Sequence, residues 1–368
     1  MAIPTDSAGS GSADSGSANS ASASSADRDP VADLRRIAFL LERSLASSYR
    51  VKAFRGAAAA LLQSTPEQIR GLAEDGELRS IKGVGESTAA VIDESLAGRA
   101  PEYLATLEEQ AKAPLATGGE KLRATLRGDC HSHSDWSDGG SPPAEMAWTA
   151  KQLGHDYIVL TDHSPRLKVA NGLSADRLRR QLDVIDVINQ QLAPFRMLTG
   201  IEVDILDDGS LDQDPELLAR LDVVVASVHS KLAMPKAQMT QRMLTAIADP
   251  NTDILGHYTG RMVKPREGRN PKGRPESEFD AAAVFAACAE HSTAVEINSR
   301  PERLDPPRRL LRKAVAAGCV FSIDTDGHAP GQLDWQIIGC ARAEECDVPA
   351  ERVINTWALP DLLAWTCP

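Results

Sequence analysis

Two histidines one residue apart, His131 and His133, lead into a carboxylate, Asp138, and two glycines, in the run Gly128-Asp129-Cys130-His131-Ser132-His133-Ser134-Asp135-Trp136-Ser137-Asp138-Gly139-Gly140. Side chains alternate between the faces of a strand, so two imidazoles at this spacing point the same way and can share one metal ion. Gly139 and Gly140 let the chain turn and bring the Asp138 carboxylate back towards them. Four more histidines stand within a residue or two of the end of a β-rich run. They are His163 in Thr161-Asp162-His163-Ser164, His229 in Ser227-Val228-His229-Ser230, His257 in Leu255-Gly256-His257, and His328 in Asp324-Thr325-Asp326-Gly327-His328. Glu202, in Thr199-Gly200-Ile201-Glu202-Val203-Asp204, and Asp326 hold equivalent positions, and Asp326 with His328 repeats the spacing of His131 with His133.

These nine side chains are too many for one tetrahedral zinc. They suit two or three divalent ions, and mixed imidazole and carboxylate donors fit Zn, Mn or Fe without choosing among them. His155, which precedes a β-rich run, and His291, at the end of a helical one, fall outside the pattern and read as structural or surface residues. Asp129 and Asp162 lie beside ligand candidates, either orienting imidazoles from behind or simply solvated. Asn298 either faces the same place or forms a turn.

Convergence of residues so far apart requires a particular scaffold. Strands are predicted at 126–130, 156–161, 196–203, 221–228, 252–256, 293–297 and 319–324, with helical segments at 143–153, 175–192, 238–248, 280–291 and 307–317 between them. Such alternation reads as a parallel α/β sheet or barrel. In α/β barrels the carboxyl ends of the strands line one mouth, where the nine candidates would meet.

Residues 1–29 are almost wholly Ser, Ala, Gly and Asp, and a disordered tail is expected there. From Val31, the spacing of Leu34, Ile37, Ala38, Leu41 and Leu45 predicts a helix, and similar amphipathic segments make 30–112 a small all-helical domain. Within it, Ile81-Lys82-Gly83-Val84-Gly85-Glu86 is a glycine turn running into a helix. Gly83 and Gly85 let backbone amides approach a phosphate, and the helix start adds partial positive charge. Arg50, Lys52, Arg55, Arg79 and Lys82 are candidates for DNA phosphate contact, or a solvated basic face. Pro114, Gly118 and Gly119 mark 113–125 as a linker before the second domain, 126–368.

Composition removes several classes. Hydrophobic residues at 42% and charged residues at 25% are ordinary for a globular chain, and no apolar run approaches a membrane span. A net charge of -12 argues against a broad electrostatic grip on nucleic acid, so any such contact must be local. Six cysteines without a Cys-x-x-Cys pair argue against a zinc ribbon or a disulfide framework. With no basic, apolar leader at the amino terminus, a cytoplasmic location is expected.

The ordered set of motifs resembles the PHP (polymerase and histidinol phosphatase) metal-dependent phosphoesterases over residues 126–345. Gly200 to Leu211, Leu255 to Arg261 and Glu296-Ile297-Asn298 are most similar to the PHP domain attached to bacterial family X DNA polymerases, and residues 31–112 resemble their helix-hairpin-helix domain. The resemblance implies a distorted seven-stranded (β/α) barrel with a trinuclear site. His131, His133, Glu202 and Asp326 would hold one ion; Glu202 would bridge to a second held by His229 and His257; Asp138, His163 and His328 would hold the third. The chemistry implied is attack of a metal-activated hydroxide on a phosphoester, with Glu202 and Asp326 at its centre and Arg261 or Lys231 binding phosphate oxygens. The helical domain directs this expectation to DNA ends or damaged DNA, as a 3′ phosphatase, nuclease or repair enzyme. The alternatives are a small-molecule phosphatase of histidinol-phosphatase type and a non-catalytic DNA-binding module. Two departures matter: no polymerase palm or fingers separates the two domains, and the family's Schiff-base lysine aligns with Val91, which has no amine.

Overall fold

The computed structural model describes residues 28–263 and 273–366, and the chain divides into two compact units at Pro114/Leu115. In the first, helices α1 (Pro30–Arg43), α2 (Ser48–Leu61), α3 (Pro66–Glu74), α4 (Glu86–Leu96) and α5 (Glu102–Ala111) enclose one core. Local sequence explains where they begin. Asp29 accepts a hydrogen bond from the Val31 amide at 2.8 Å, and Thr65 with Gln68 forms a capping box ahead of Pro66. Arg28 pairs with Asp33 at 2.7 Å, so the expected tail of residues 1–29 is too long by two residues; the rest of it lies outside the described residues. Leu34, Ile37, Ala38 and Leu41 are buried as the helical spacing requires. Leu45 is not part of that stripe: it follows the helix at a φ of 56°, with its side chain 40% exposed.

The second unit contains seven parallel strands in sequence order, β1 (Gly128–Ser132), β2 (Tyr157–Leu160), β3 (Arg196–Asp204), β4 (Val223–Ser227), β5 (Ile254–Gly256), β6 (Ala294–Asn298) and β7 (Phe321–Asp324). A parallel bridge between Ser132 and Gly327 draws the first strand to the last, so the sheet is a nearly closed barrel. Helices α6 (Glu120–Arg123), α7 (Pro143–Gln152), α8 (Ala175–Leu192), α9 (Pro215–Leu218), α10 (Lys236–Ile247), α11 (Ala281–Glu290), α12 (Arg308–Ala316), α13 (Gln336–Glu345) and α14 (Leu359–Thr366) accompany it. Strands such as Val223-Val224-Val225-Ala226-Ser227 are buried at every position, as a parallel sheet covered on both faces requires.

Each predicted strand is present, displaced by at most two residues at either end. The stretch 113–125 is more than a connector. It contains α6, its Leu122 joins the barrel core, and the Gly119 amide donates to the Glu344 carboxylate at 2.8 Å. Among the described residues no helix is long and apolar enough to cross a membrane.

Candidate metal centre

Six imidazoles and two carboxylates meet where the strands end, with Asp138 joining from the loop after β1. His131 ends a buried pleat of β1, and His133 lies one pleat beyond it; their rings are 5.1 Å apart. His163 follows β2 and is bridged to Glu202 on β3, so main-chain pairing sets the register between the two. His229, His257 and Asp326 with His328 follow β4, β5 and β7 in turn. Asp326 adopts a left-handed φ of 52°, an uncommon conformation for a residue with a side chain and one associated with functional sites.

Glu202 is the hub. Its Oε1 faces His257 Nε2 at 2.7 Å and His229 Nε2 at 3.1 Å. On the other side Oε2 faces His163 Nδ1 at 2.8 Å, His131 Nε2 at 3.4 Å and His133 Nε2 at 3.5 Å. The Asp138 carboxylate lies 3.2 Å from His328 Nε2 and 3.4 Å from His163 Nε2, and Asp326 Oδ1 is 3.6 Å from His133 Nε2. Four groups of donor atoms lie close enough to hold a cation: His133 with Asp138, His163 and His328; His131 with His133 and Asp326; His131 with Glu202 and His257; and His163 with Glu202 and His229. Adjacent groups share members, the arrangement that several neighbouring ions require.

Bonding within the cluster supports that reading. Ring nitrogens of His131, His133, His163, His229 and His257, and both Glu202 oxygens, are buried without a hydrogen-bond partner. A buried polar atom left unpaired is costly, and so many in one cavity fit a bound cation better than a packed core. Electrostatics agree. Burial disfavours charge on Glu202, yet His229, His163, His131 and His257 around it hold its carboxyl well below the usual range. Burial, with His328 and His163 nearby, pushes His133 well below its ordinary value, which favours the neutral ring with one nitrogen lone pair to offer. His163 opposes its burial through Glu202 and Asp138 and is held up at about 10, so ligation there must displace a proton.

The support behind the ligands differs from expectation. Asp129 accepts from the His131 backbone amide at 3.1 Å, and Asp162 from Ser134 N at 2.8 Å and Gln181 Nε2 at 2.6 Å; neither reaches a ring. The partner of an imidazole is Glu296, whose carboxylate meets His131 Nδ1 at 2.6 Å and also accepts from the His257 amide. A single acid in the apolar strand Ala-Val-Glu-Ile-Asn was the signal available for it. Asn298 does face the cluster, donating to Asp326 Oδ2 at 3.3 Å.

The cations also lie elsewhere than expected. Arg261 donates to the carbonyls of Arg303 and Leu304 and lies 3.7 Å from Glu276, none of them a ligand candidate. Lys231 is exposed and paired with Asp207. Arg303 and Arg300, for which the sequence held no signal, occupy the mouth instead. Arg303 Nε is 3.0 Å from Asp326 Oδ2, and Arg300 Nη1 is 3.0 Å from the Asp326 carbonyl and 3.1 Å from His328 Nδ1. Of the two histidines outside the pattern, His155 is buried with Nε2 3.1 Å from Arg123, and burial with that arginine lowers it to about 3. His291 caps α11 on the surface.

In the helical unit, Gly83 has a φ of 100° and Gly85 opens α4 in an extended conformation. Lys82 and Lys52 are exposed. Arg50 leans on Tyr103, its guanidinium carbon 5.8 Å from the ring centre. Arg55 is not available for phosphate: both ends of its guanidinium bind Glu42 at 2.8 Å, and that carboxylate is almost fully buried.

Residues 26–100 match the model of a helix-hairpin-helix domain, and residues 129–300 match that of the PHP domain. The chain is 38% identical over 240 residues to the DNA polymerase/3'-5' exonuclease PolX of Bacillus subtilis, a match covering 65% of this chain and 41% of that protein. It therefore spans about two fifths of that relative's length. A probable phosphatase of Acetivibrio thermocellus is 27% identical over 237 residues, 62% of this chain and 90% of its own. The probable phosphatase YcdX of Escherichia coli K12 is 28% identical over 245 residues, 62% of this chain and 89% of its own. Among solved structures, histidinol phosphate phosphatase of Lactococcus lactis matches at a TM-score of 0.43 and 18% identity, over 60% of this chain and 94% of that one.

Proposed function

We infer that this chain, a phosphoester hydrolase whose PHP domain is joined to a helix-hairpin-helix domain, acts on DNA ends or damaged DNA as a 3′ phosphatase, nuclease or repair phosphoesterase. The observation that carries the catalytic part is Glu202, fully buried, with both oxygens facing imidazole nitrogens that have no other partner. Divalent cations held among them would satisfy those nitrogens and oxygens together.

Two or three divalent ions would be held by His131, His133, Asp138, His163, Glu202, His229, His257, Asp326 and His328. When bound, they would supply Lewis acidity that activates water and offsets charge on phosphate oxygens. Glu202 presents one oxygen to each half of the cluster and fixes their separation. Glu296 holds the His131 ring from behind, which sets the nitrogen that faces inward. Arg300 and Arg303 fasten the Asp326 loop and bring two fixed positive charges to the rim, the role first expected of Arg261. Charge fixed in place before the reaction lowers the cost of the anionic transition state.

The DNA part rests on the helix-hairpin-helix match and on the exposed Lys82, Gly83 and Gly85 of its turn. To test it, the chain is loaded separately with zinc, manganese and iron and offered 3′-phosphorylated and recessed oligonucleotides, histidinol phosphate and p-nitrophenyl phosphate, with and without chelator. Chelator-sensitive turnover of the oligonucleotides is expected. Turnover of histidinol phosphate alone, with no salt-dependent DNA binding, would replace this reading with a small-molecule phosphatase.

A further inference from the structure

One group of donors, His163, Glu202 and His229, comes from three neighbouring strands, and its geometry depends on their ends staying in register. Glu202 belongs to β3, His163 follows β2 and His229 follows β4. Asp204, the last residue of β3, stands two residues beyond Glu202, so its side chain leaves the strand on the same face as the hub. Its Oδ1 meets His229 twice: it accepts from the His229 amide at 3.1 Å and lies 3.5 Å from ring atom Nδ1. The opposite ring atom, Nε2, is the one that faces Glu202 Oε1 at 3.1 Å. The imidazole is therefore held between two carboxylates of one strand.

The other flank is tied to the same residue. The Asp204 amide donates to Ser164 Oγ at 2.9 Å, and Ser164, next to His163 in sequence, donates its own amide to the Glu202 carbonyl at 3.0 Å. Ser164 Oγ donates in turn to Asp212 Oδ2 at 3.0 Å, and the Asp212 amide returns to the Asp204 carbonyl at 3.0 Å. Asp204 is thus engaged through amide, carbonyl and carboxylate at once. A carboxylate only 6% exposed is costly unless it is paired, and among the described residues the only ion pair of Asp204 is with His229. Such a pairing suits a ring that gives Nε2 to a cation, because a ligating imidazole keeps its orientation by donating its second N–H to a carboxylate.

We propose that Asp204 is a positioning residue: it turns His229 and fixes the start of the His163 loop so that both meet the Glu202 carboxylate around one divalent ion, while touching neither ion nor substrate itself. The inference rests on the metal-dependent hydrolase reading given above and is independent of its DNA part. Metal-free full chain is titrated with cobalt(II) against a competing chelator, and the visible spectrum of the bound ions is followed. Asp204→Asn keeps an oxygen for the His229 amide but removes the charge behind the ring. It is expected to weaken one cobalt site by about ten- to a hundredfold and to change its spectrum, with the remaining sites and the thermal unfolding of metal-free protein close to those of wild type. Asp207→Asn, which removes an exposed charge three residues further on, is expected to leave affinity and spectrum unchanged. Wild-type affinity and spectrum in Asp204→Asn overturn the proposal, as does an equal loss in Asp207→Asn or a loss matched by earlier unfolding of metal-free protein. If Asp204→Asn does not fold, Ser164→Ala, which releases the Asp204 amide, is judged by the same outcomes. Wild type that binds no cobalt defeats the metal-centre reading and this proposal together; wild type that binds cobalt and hydrolyses p-nitrophenyl phosphate keeps that reading even where the variants overturn the role of Asp204.

Discussion

The mouth of the barrel and the glycine hairpin of the helical unit were both picked out by short motifs, yet the structure treats the two differently. At the mouth, all nine proposed ligands come together, most of them buried and each within reach of another. Around the hairpin, one of the basic candidates, Arg55, is spent on Glu42, Arg50 leans on Tyr103, and Lys52 and Lys82 are simply exposed. A strand end is a place fixed by topology, so a residue type found there has its destination decided. An exposed basic residue has none, because its partner is chosen by packing that local sequence does not encode.

The sharpest test of that difference is Glu202→Gln. Removing one charge from the hub is expected to lower chelator-sensitive hydrolysis of p-nitrophenyl phosphate by about a thousandfold, at the upper end for loss of a group that stabilises developing charge. Metal content by mass spectrometry should fall with it, while circular dichroism remains that of wild type. A variant that retains both metal and turnover breaks the case for a hub. Glu296→Gln probes the layer behind. It leaves every ligand in place but alters the group holding His131 Nδ1, and a loss of metal affinity of about ten- to a hundredfold is expected.

The same contrast explains what the sequence revealed. Seven strands could be read because fully buried parallel strands are short apolar runs between helical stretches, and Val223 to Ser227 or Ala294 to Asn298 can hardly be anything else. The candidate ligands followed from those strand ends. Groups that act on the ligands did not. Asp129 and Asp162 stand next to histidines in sequence but bind backbone and loop, whereas Glu296 is 165 positions from the His131 ring it holds. Arg300 and Arg303 reach Asp326 from the loop after β6, and no spacing rule links them. Helix α6 was hidden in a glycine-containing stretch because its four residues are too few to show a period, and only the burial of Leu122 reveals its purpose.

Within the helical unit, Arg55→Met should separate a structural cation from a binding one. The substitution removes the two-ended Arg55 contact from the buried Glu42 carboxylate, which is expected to cost about 2–3 kcal/mol, below the usual range for a broken buried pair because Arg55 is partly exposed. Thermal unfolding of the helical transition should shift downwards, and the salt slope of DNA binding should not change. A flatter slope with intact stability would return Arg55 to the phosphate-binding set.

Lys82→Ala gives the smallest effect and tests the hairpin most directly. Lys82 is exposed and precedes Gly83, whose φ of 100° turns the chain towards α4, with the Val84 amide donating to the Ile81 carbonyl and the Gly85 amide to Thr88 Oγ1. The start of α4 can hold a phosphate without the lysine, which adds one mobile charge. Loss of that charge is expected to weaken DNA binding only a few-fold and to reduce the salt slope by about 1, uniformly across sequences. Gly83→Ala acts on the backbone instead: its Cβ would meet nothing closer than the Gly56 carbonyl at 3.6 Å, so the cost is the left-handed conformation, about 1 kcal/mol. If Lys82→Ala abolishes binding while Gly83→Ala spares it, the hairpin holds DNA through its side chain, and the amide geometry has no part in it.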